Sequence, residues 1–186
     1  MADSRERAAD ADLVAATRSG NAGAFDALVR RHYRAAFAVA LAVCGTRADA
    51  EDVCQDALIK ALERIDSCRT PEKFAGWLCE IVRNRAFNHL EKMRVRAAEP
   101  LQEDSAAAGT TPHDTLERRE LGRQLEDALK RLPPKQREVV LLHDLDGWSH
   151  REIAGMIGTS EVMSRQHLFN ARQVLRELLS GLKIEE

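Results

Sequence analysis

The side chains best suited to chemistry lie in the run Leu132 to Arg172, LPPKQREVVLLHDLDGWSHREIAGMIGTSEVMSRQHLFNAR. Gln166 and Asn170 stand four residues apart, so a helix puts them on one face, beside Arg165 and His167. Gln or Asn can pair in bidentate fashion with adenine N6 and N7, and Arg with guanine O6 and N7. The chemistry this implies is recognition of base edges, not bond making. His32, His89, His113, His143, His150 and His167 are scattered, without the spacing of a ligand set or a triad, so an enzyme has little support. No Gly-rich phosphate loop is present, and neither a cofactor nor a metal is expected. Cys44, Cys54, Cys68 and Cys79 form no C-x-x-C pair and match no zinc spacing. They read as small core residues in a reducing compartment, with a redox switch as the lesser alternative.

The elements that must position these side chains form a helix-turn-helix. Pro133 and Pro134 block helix continuation and sit where a new helix can start. The apolar run Val139, Val140, Leu141, Leu142, Leu145 follows, and Gly147 ends it. Ser149 stands three residues before Glu152, which is a capping box. Ile153, Ala154 and Ile157 give that short helix an apolar face. Gly158 allows the turn and Ser160 caps the last helix. A helix of this kind, rich in Arg, Gln, His and Asn, suits a major groove. An αα-corner that touches no nucleic acid has the same grammar.

A second polar concentration lies upstream. Residues 83–96 hold Arg83, Arg85, Lys92, Arg94 and Arg96 against Glu91 alone, with Asn84, Asn88 and His89 among them. They close a helix that buries Phe74, Leu78, Ile81, Val82 and Leu90; Trp77 has core spacing. Three further helices precede it. Asp10 to Ser19 is stopped by Gly20. Asn21 caps a long helix with Phe25, Leu28, Val29, Tyr33, Phe37, Ala40 and Leu41 on one face, ended by Gly45. Thr46 opens the third, whose first turns carry Asp49, Glu51 and Asp52, and whose inward residues are Val53, Ala57, Leu58, Ala61, Leu62 and Ile65. Asp66 to Lys73 reads as a polar loop, and Thr70 with Pro71 as the cap of the fourth helix.

Residues 97–112 lose all periodicity and carry acids with Ala, Thr and Gly, the composition of a linker. At about 3.3 Å per residue they could span up to ~50 Å. Asp114 then caps a helix through Leu132 with Leu121, Leu125, Ala128 and Leu129 inward. The expected fold is all-α: two small helical domains, residues 10–96 and 113–186, joined by a flexible acidic linker. The 186 residues contain 4% aromatics and few Gly and Pro, which favours helices throughout. No apolar run approaches the ~20 residues of a membrane span, and the charged N-terminus lacks a signal-peptide core, so a cytoplasmic location is expected. Net charge is −2, so the chain alone should hold DNA weakly and need a larger partner.

In their order and spacing, FDALVRRHY, ADAEDVCQDALIKAL and FAGWLCEIVRNRAFNHL, then LPPKQREVVLL, GWSHREIAGMIGTSE and LFNAR, resemble the extracytoplasmic-function group of the sigma-70 family. The resemblance runs from about Asp12 to Leu182. It implies a factor without catalysis of its own that binds core RNA polymerase, recognises promoter DNA and helps melt it. By resemblance, Glu51, Asp52, Gln55, Asp56 and Leu58 dock on the β′ clamp helices, and the C-terminal domain meets the β flap. Ser67 and Arg69 lie in the loop that captures a flipped −10 base. Arg83, Asn84, Arg85, Asn88 and Lys92 match positions that hold the melting strand. Arg165, Gln166, His167, Phe169 and Asn170 fall on −35-reading positions, and Arg151 on a phosphate contact. An anti-sigma factor is a further expected partner. Two departures stand out: Ser164 replaces a β-branched core residue, and His167 and Asn170 stand where Arg is usual. A helix-turn-helix regulator that never binds polymerase, and a sigma mimic that sequesters an anti-sigma factor, are the rival readings.

Overall fold

The computed structural model describes the backbone of residues 2–98 and 116–180, and the side chains of 9–96 and 120–180. Within them there are eight α-helices and no strand. The first module contains α1 (Ala2–Arg18), α2 (Ala22–Cys44), α3 (Arg47–Glu63) and α4 (Phe74–Ala98). The second contains α5 (Leu116–Lys130), α6 (Pro134–Val140), α7 (His150–Ile157) and α8 (Glu161–Leu179). The expected linker falls largely outside the described residues, as does the Asp114 cap.

Local chemistry sets most boundaries. Asn21 and Thr46 cap α2 and α3, accepting from the backbone N–H of Ala24 and Asp49. Gly45 ends α2 at φ +80. A Cβ there would come within 3.2 Å of the Arg137 guanidinium, so a side chain would crowd that arginine as well as strain φ. α1 starts well before Asp10, longer than its apolar pattern. Thr70 does not cap α4: Pro71–Lys73 is a separate 3-10 turn without a side-chain cap, Ile65–Ser67 is another, and α4 begins at Phe74. The expected loop is thus two tight turns. Arg18 of α1 clamps them by donating to the carbonyls of Cys68, at 2.6 Å, and Ile65, at 3.2 Å.

α2 is the central element. Ala35, Ala36, Ala38, Val39, Ala40 and Ala42 are all buried, so its second half is covered on every side. α3 and α4 cover one side; α6 and the π-helical turn Leu141–Leu145 cover the other. One continuous apolar core therefore runs through both modules, from Val14 and Leu28 to Val139, Leu142, Ile153 and Leu168. Polar pairs fix the first module. Asp10 of α1 meets Arg31 and His32 of α2, the latter at 3.0 Å; burial opposes its charge, but these partners outweigh burial and hold its carboxyl below the usual range. His89 of α4 lies 2.9 Å from Asp49 of α3.

Several residues expected inward lie out. Leu62, Leu121 and Leu125 are exposed, because α3 and α5 are each covered along a narrower stripe than their apolar spacing offers. Tyr33 is at the surface, stacked at 6.2 Å on Phe37. Leu90 is half-buried. Trp77 packs on Phe74 with ring centroids 5.6 Å apart. Cys54, Cys68 and Cys79 are buried and Cys44 half-buried, all as free thiols. Burial pushes Cys44 up to about 11 and Cys54 and Cys79 up to about 12.

Candidate nucleic-acid interface

The helix-turn-helix is built as its sequence grammar requires. Pro134 is the first residue of α6. Ser149 and Glu152 form a reciprocal capping box: the Ser149 hydroxyl accepts from the Glu152 N–H, and the Glu152 carboxylate accepts from the Ser149 N–H at 3.0 Å. Gly158 turns the chain at φ +65, and Ser160 caps α8 by accepting from Met163 N–H at 3.1 Å. Val139, Leu142, Ile153, Leu168 and Ala171 hold the three helices together.

This frame turns a polar face of α8 outward. Arg165, Gln166 and Phe169 are exposed, with Phe169 at 66%, while His167 and Asn170 are half-buried. The Gln166 amide donates to Asn170 Oδ1 at 2.9 Å, and Arg165 pairs with Glu161 at 3.2 Å. These contacts are solvent-facing and weak enough to exchange for base edges. Val162 and Met163, also exposed, add apolar contacts at the start of α8 of the kind that meet a thymine methyl.

On the first module, Asn84, Asn88 and Lys92 lie along one exposed face of α4. Phe87, 52% exposed, stands among them. An exposed ring beside two amides has the chemistry to stack on an unpaired base; the signal was its offset from the core spacing of α4. Arg85 is half-buried. Ser67 and Arg69 are exposed on the clamped turns below. On α3, Asp52, Gln55 and Asp56 are exposed, Leu58 is half-buried, and Glu51 pairs with Arg47 at 2.8 Å. Ile59 and Leu62 lie open beside them, giving that helix an acidic and apolar surface together.

Arg83 is placed differently. It leaves the Asn84 face, pairs with Glu138 of α6, and donates to the Met156 carbonyl of α7 at 3.1 Å. Burial raises the Glu138 carboxyl above its ordinary range despite Arg83. Two more arginines tie the modules. Arg34 of α2 donates to the Leu145 carbonyl and lies 3.4 Å from Asp146. Arg137, 8% exposed, donates to four carbonyls: Leu129 at 2.7 Å, Lys130 at 2.9 Å, Ala42 at 3.0 Å and Leu132 at 3.1 Å. No sequence motif singles out Arg137 or Glu138. Between the modules lies a cleft of about 1290 Å³ lined by Ser67, Arg69, Trp77, Arg83, Trp148 and Arg151. The −10 loop candidates and the phosphate-contact candidate Arg151 thus share one cleft.

Two helical modules, the second a helix-turn-helix with an outward polar face, are the architecture of a DNA-binding protein. Residues 28–96 match sigma-70 region 2, and residues 122–175 match sigma-70 region 4. The chain is 33% identical over 178 residues to the ECF RNA polymerase sigma factor SigM of Mycobacterium tuberculosis, covering 96% of this chain and 88% of that one. Its fold is similar to CnrH solved in complex with the cytosolic domain of CnrY, with TM-score 0.68, 28% identity, and coverage of 92% of this chain and 97% of that one. It is also similar to the sigma factor RpoE of Bartonella quintana, solved with the anti-sigma factor NepR, with TM-score 0.65, 26% identity, and coverage of 84% and 97%. The chain belongs to the extracytoplasmic-function group of sigma-70 factors and directs transcription initiation by RNA polymerase. No helix among the described residues is long and apolar enough to cross a membrane.

Proposed function

We propose that the two modules divide promoter recognition between them. Residues 10–96 bind core polymerase and open the −10 element, and residues 113–186 read the −35 element, with 97–112 as the tether. Glu51, Asp52, Gln55, Asp56 and Leu58 form the surface for the β′ clamp helices, and the second module meets the β flap. Ser67 and Arg69 receive a flipped base. Asn84, Arg85, Asn88 and Lys92, with Arg83 once released, hold the separated strand. Arg165, Gln166, His167, Phe169 and Asn170 read the −35 bases, and Arg151 takes a phosphate. The factor performs no chemistry itself; synthesis belongs to the polymerase, and the site of action is the cytoplasm. An anti-sigma factor, as in the solved complex of RpoE with NepR, is the expected inhibitor.

The observation that carries this reading is that each region-specific match coincides with an exposed polar face of suitable chemistry, on α4 and on α8. Geometry adds a requirement. Elements centred 25 base pairs apart lie about 85 Å apart on B-DNA at about 3.4 Å per pair. The closed packing of α2 against α6 cannot span that, so the modules separate on polymerase. The 25 residues of α4, about 37 Å at 1.5 Å per residue, and residues 99–112, up to ~46 Å at about 3.3 Å per residue, supply the reach. Reconstitution with core polymerase and mapping of start sites tests the proposal. Start sites lacking shared −10 and −35 elements, or no gain over core alone, would refute it.

A further inference from the structure

Ser164 is fully buried on α8. Its hydroxyl lies 3.0 Å from Nδ1 of His150, the first residue of α7. The His150 ring stacks on His143 with centroids 4.7 Å apart. His143 Nδ1 lies 2.8 Å from Asp144 Oδ1, and Asp144 accepts two bonds from Arg172 of α8, at 2.6 and 3.0 Å. A polar chain therefore leaves α8 at Ser164, crosses α7 and the π-helical turn, and returns to α8 at Arg172. The two anchors bracket Arg165, Gln166, Phe169 and Asn170.

We propose that the His150–Ser164 hydrogen bond is a specificity-determining seat, fixing the angle at which α8 presents its reading residues to the major groove. This rests on the reading of α8 as the −35 recognition helix. The anchors are eight residues apart, about 12 Å along the helix, so a tilt of about 5° about Arg172 moves the Ser164 end by about 1 Å. A bidentate base contact does not keep its geometry through such a shift. An apolar contact at Ser164 would allow sliding, because dispersion has no direction. A buried hydroxyl with one partner does not, because leaving it unpaired is costly. His150 is thus a positioning residue that touches no base.

The test uses the full chain with core polymerase on a promoter library randomised at −35. His150→Ala and Ser164→Ala should each lower discrimination at the bases read by α8 by about tenfold, with an unchanged salt slope because the phosphate contacts stay the same in number. The double variant should be no worse than either single one. His150→Asn, whose amide oxygen can accept the Ser164 hydroxyl, should restore discrimination. Unchanged base preference in the single variants, losses that add in the double variant, or no recovery with His150→Asn each overturn the proposal. If Ser164→Ala fails to fold, the comparison of His150→Ala with His150→Asn decides, since His150 is half-buried at a helix end. Gln166→Ala separates the two levels. If it alters preference while the seat variants do not, only the seat fails; if it alters nothing, the reading of α8 itself fails.

Discussion

Replacing Arg83 by Ala asks what holds the two modules closed. Arg83 bridges α4 to Glu138 on α6 and to the Met156 carbonyl. The Glu138 side chain is 8% exposed and that of Arg83 18%, so the pair lies out of water. Removing one partner of such a pair commonly costs about 3–5 kcal/mol. Here the stranded carboxylate has an escape, because it can take up a proton. Protonating a carboxyl of ordinary pKa 4.5 at pH 7 costs about 3.4 kcal/mol, at 1.36 kcal/mol per unit. That ceiling makes the loss about 3 kcal/mol at pH 7, roughly a few hundredfold in the balance of closed and open forms. At pH 5.5 the ceiling drops to about 1.4 kcal/mol. The distance between labels on Ser19 and Gln173, both exposed, reads the balance. Arg83→Ala should lengthen it at pH 7 and largely restore it at pH 5.5. Glu138→Gln should open the modules less, since Arg83 keeps the Met156 carbonyl. A label distance in Arg83→Ala equal to wild type at pH 7, with no pH response, refutes the reasoning.

Arg137→Met should cost about 3 kcal/mol or more in urea denaturation, because four carbonyls lose their donor. Lys, without the planar fork, should not rescue it; a Lys variant as stable as wild type would count against the assignment. His150 is held below its ordinary 6.5 by burial, then by His143, Arg165 and Arg172, with Glu161 opposing. The unfolded chain therefore binds this proton first, so stability falls as pH drops below about 6.5. Thermal melts should show that fall and His150→Asn should lessen it; an equal pH slope in both proteins would dismiss it. Cys44, Cys54 and Cys79, pushed up to about 11, 12 and 12 by burial, should ignore a thiol reagent at about pH 8 until the chain unfolds, and a variant lacking all four cysteines should still transcribe. A native-state burst from Cys54 or Cys79 would contradict this. Asp52→Lys and Asp56→Lys should weaken polymerase binding while circular dichroism barely changes, since both residues are exposed. Unaltered polymerase affinity in both would remove α3 from the docking surface.

Features governed by neighbouring residues were legible in the sequence. Ser149 and Glu152, Asn21, Thr46, Ser160, Gly45 and Gly158 satisfy or terminate backbone within one turn, and the structure uses each as its type predicts. Thr70–Pro71 fails because the clamp that sets this turn comes from Arg18, distant in sequence. Leu62, Leu121 and Leu125 have helical spacing but no covering element, and spacing cannot say which apolar residues find a partner. The closure of the modules left a trace that periodicity misses. Ala35 to Ala42 is apolar on every face, which only a helix covered from two sides can bury. Nothing in the local sequence marks Arg137 and Glu138 as buried, because the groups that cover them include Ala42 and Arg83 of the other module.

Closure also bears on why a DNA-binding chain carries a net charge of −2. Arg83 cannot serve Glu138 and a DNA phosphate at once, and Arg34 is likewise held by Asp146. In the closed form these cations are neutralised internally, so the counterion release that drives non-specific DNA binding is reduced. Opening releases both. A polymerase surface that binds only the separated modules must supply the free energy of breaking the Arg83–Glu138 contact. By linkage it raises the affinity for promoter DNA by the same factor that DNA raises the affinity for polymerase. The weak DNA binding expected of the free chain and the strong binding expected of the holoenzyme would then share one equilibrium. Its position is set by a pair whose carboxyl is already pushed toward protonation. Neutralising Glu138 while keeping its shape, as Gln does, should therefore raise the DNA affinity of the free chain without any new phosphate contact on α4 or α8.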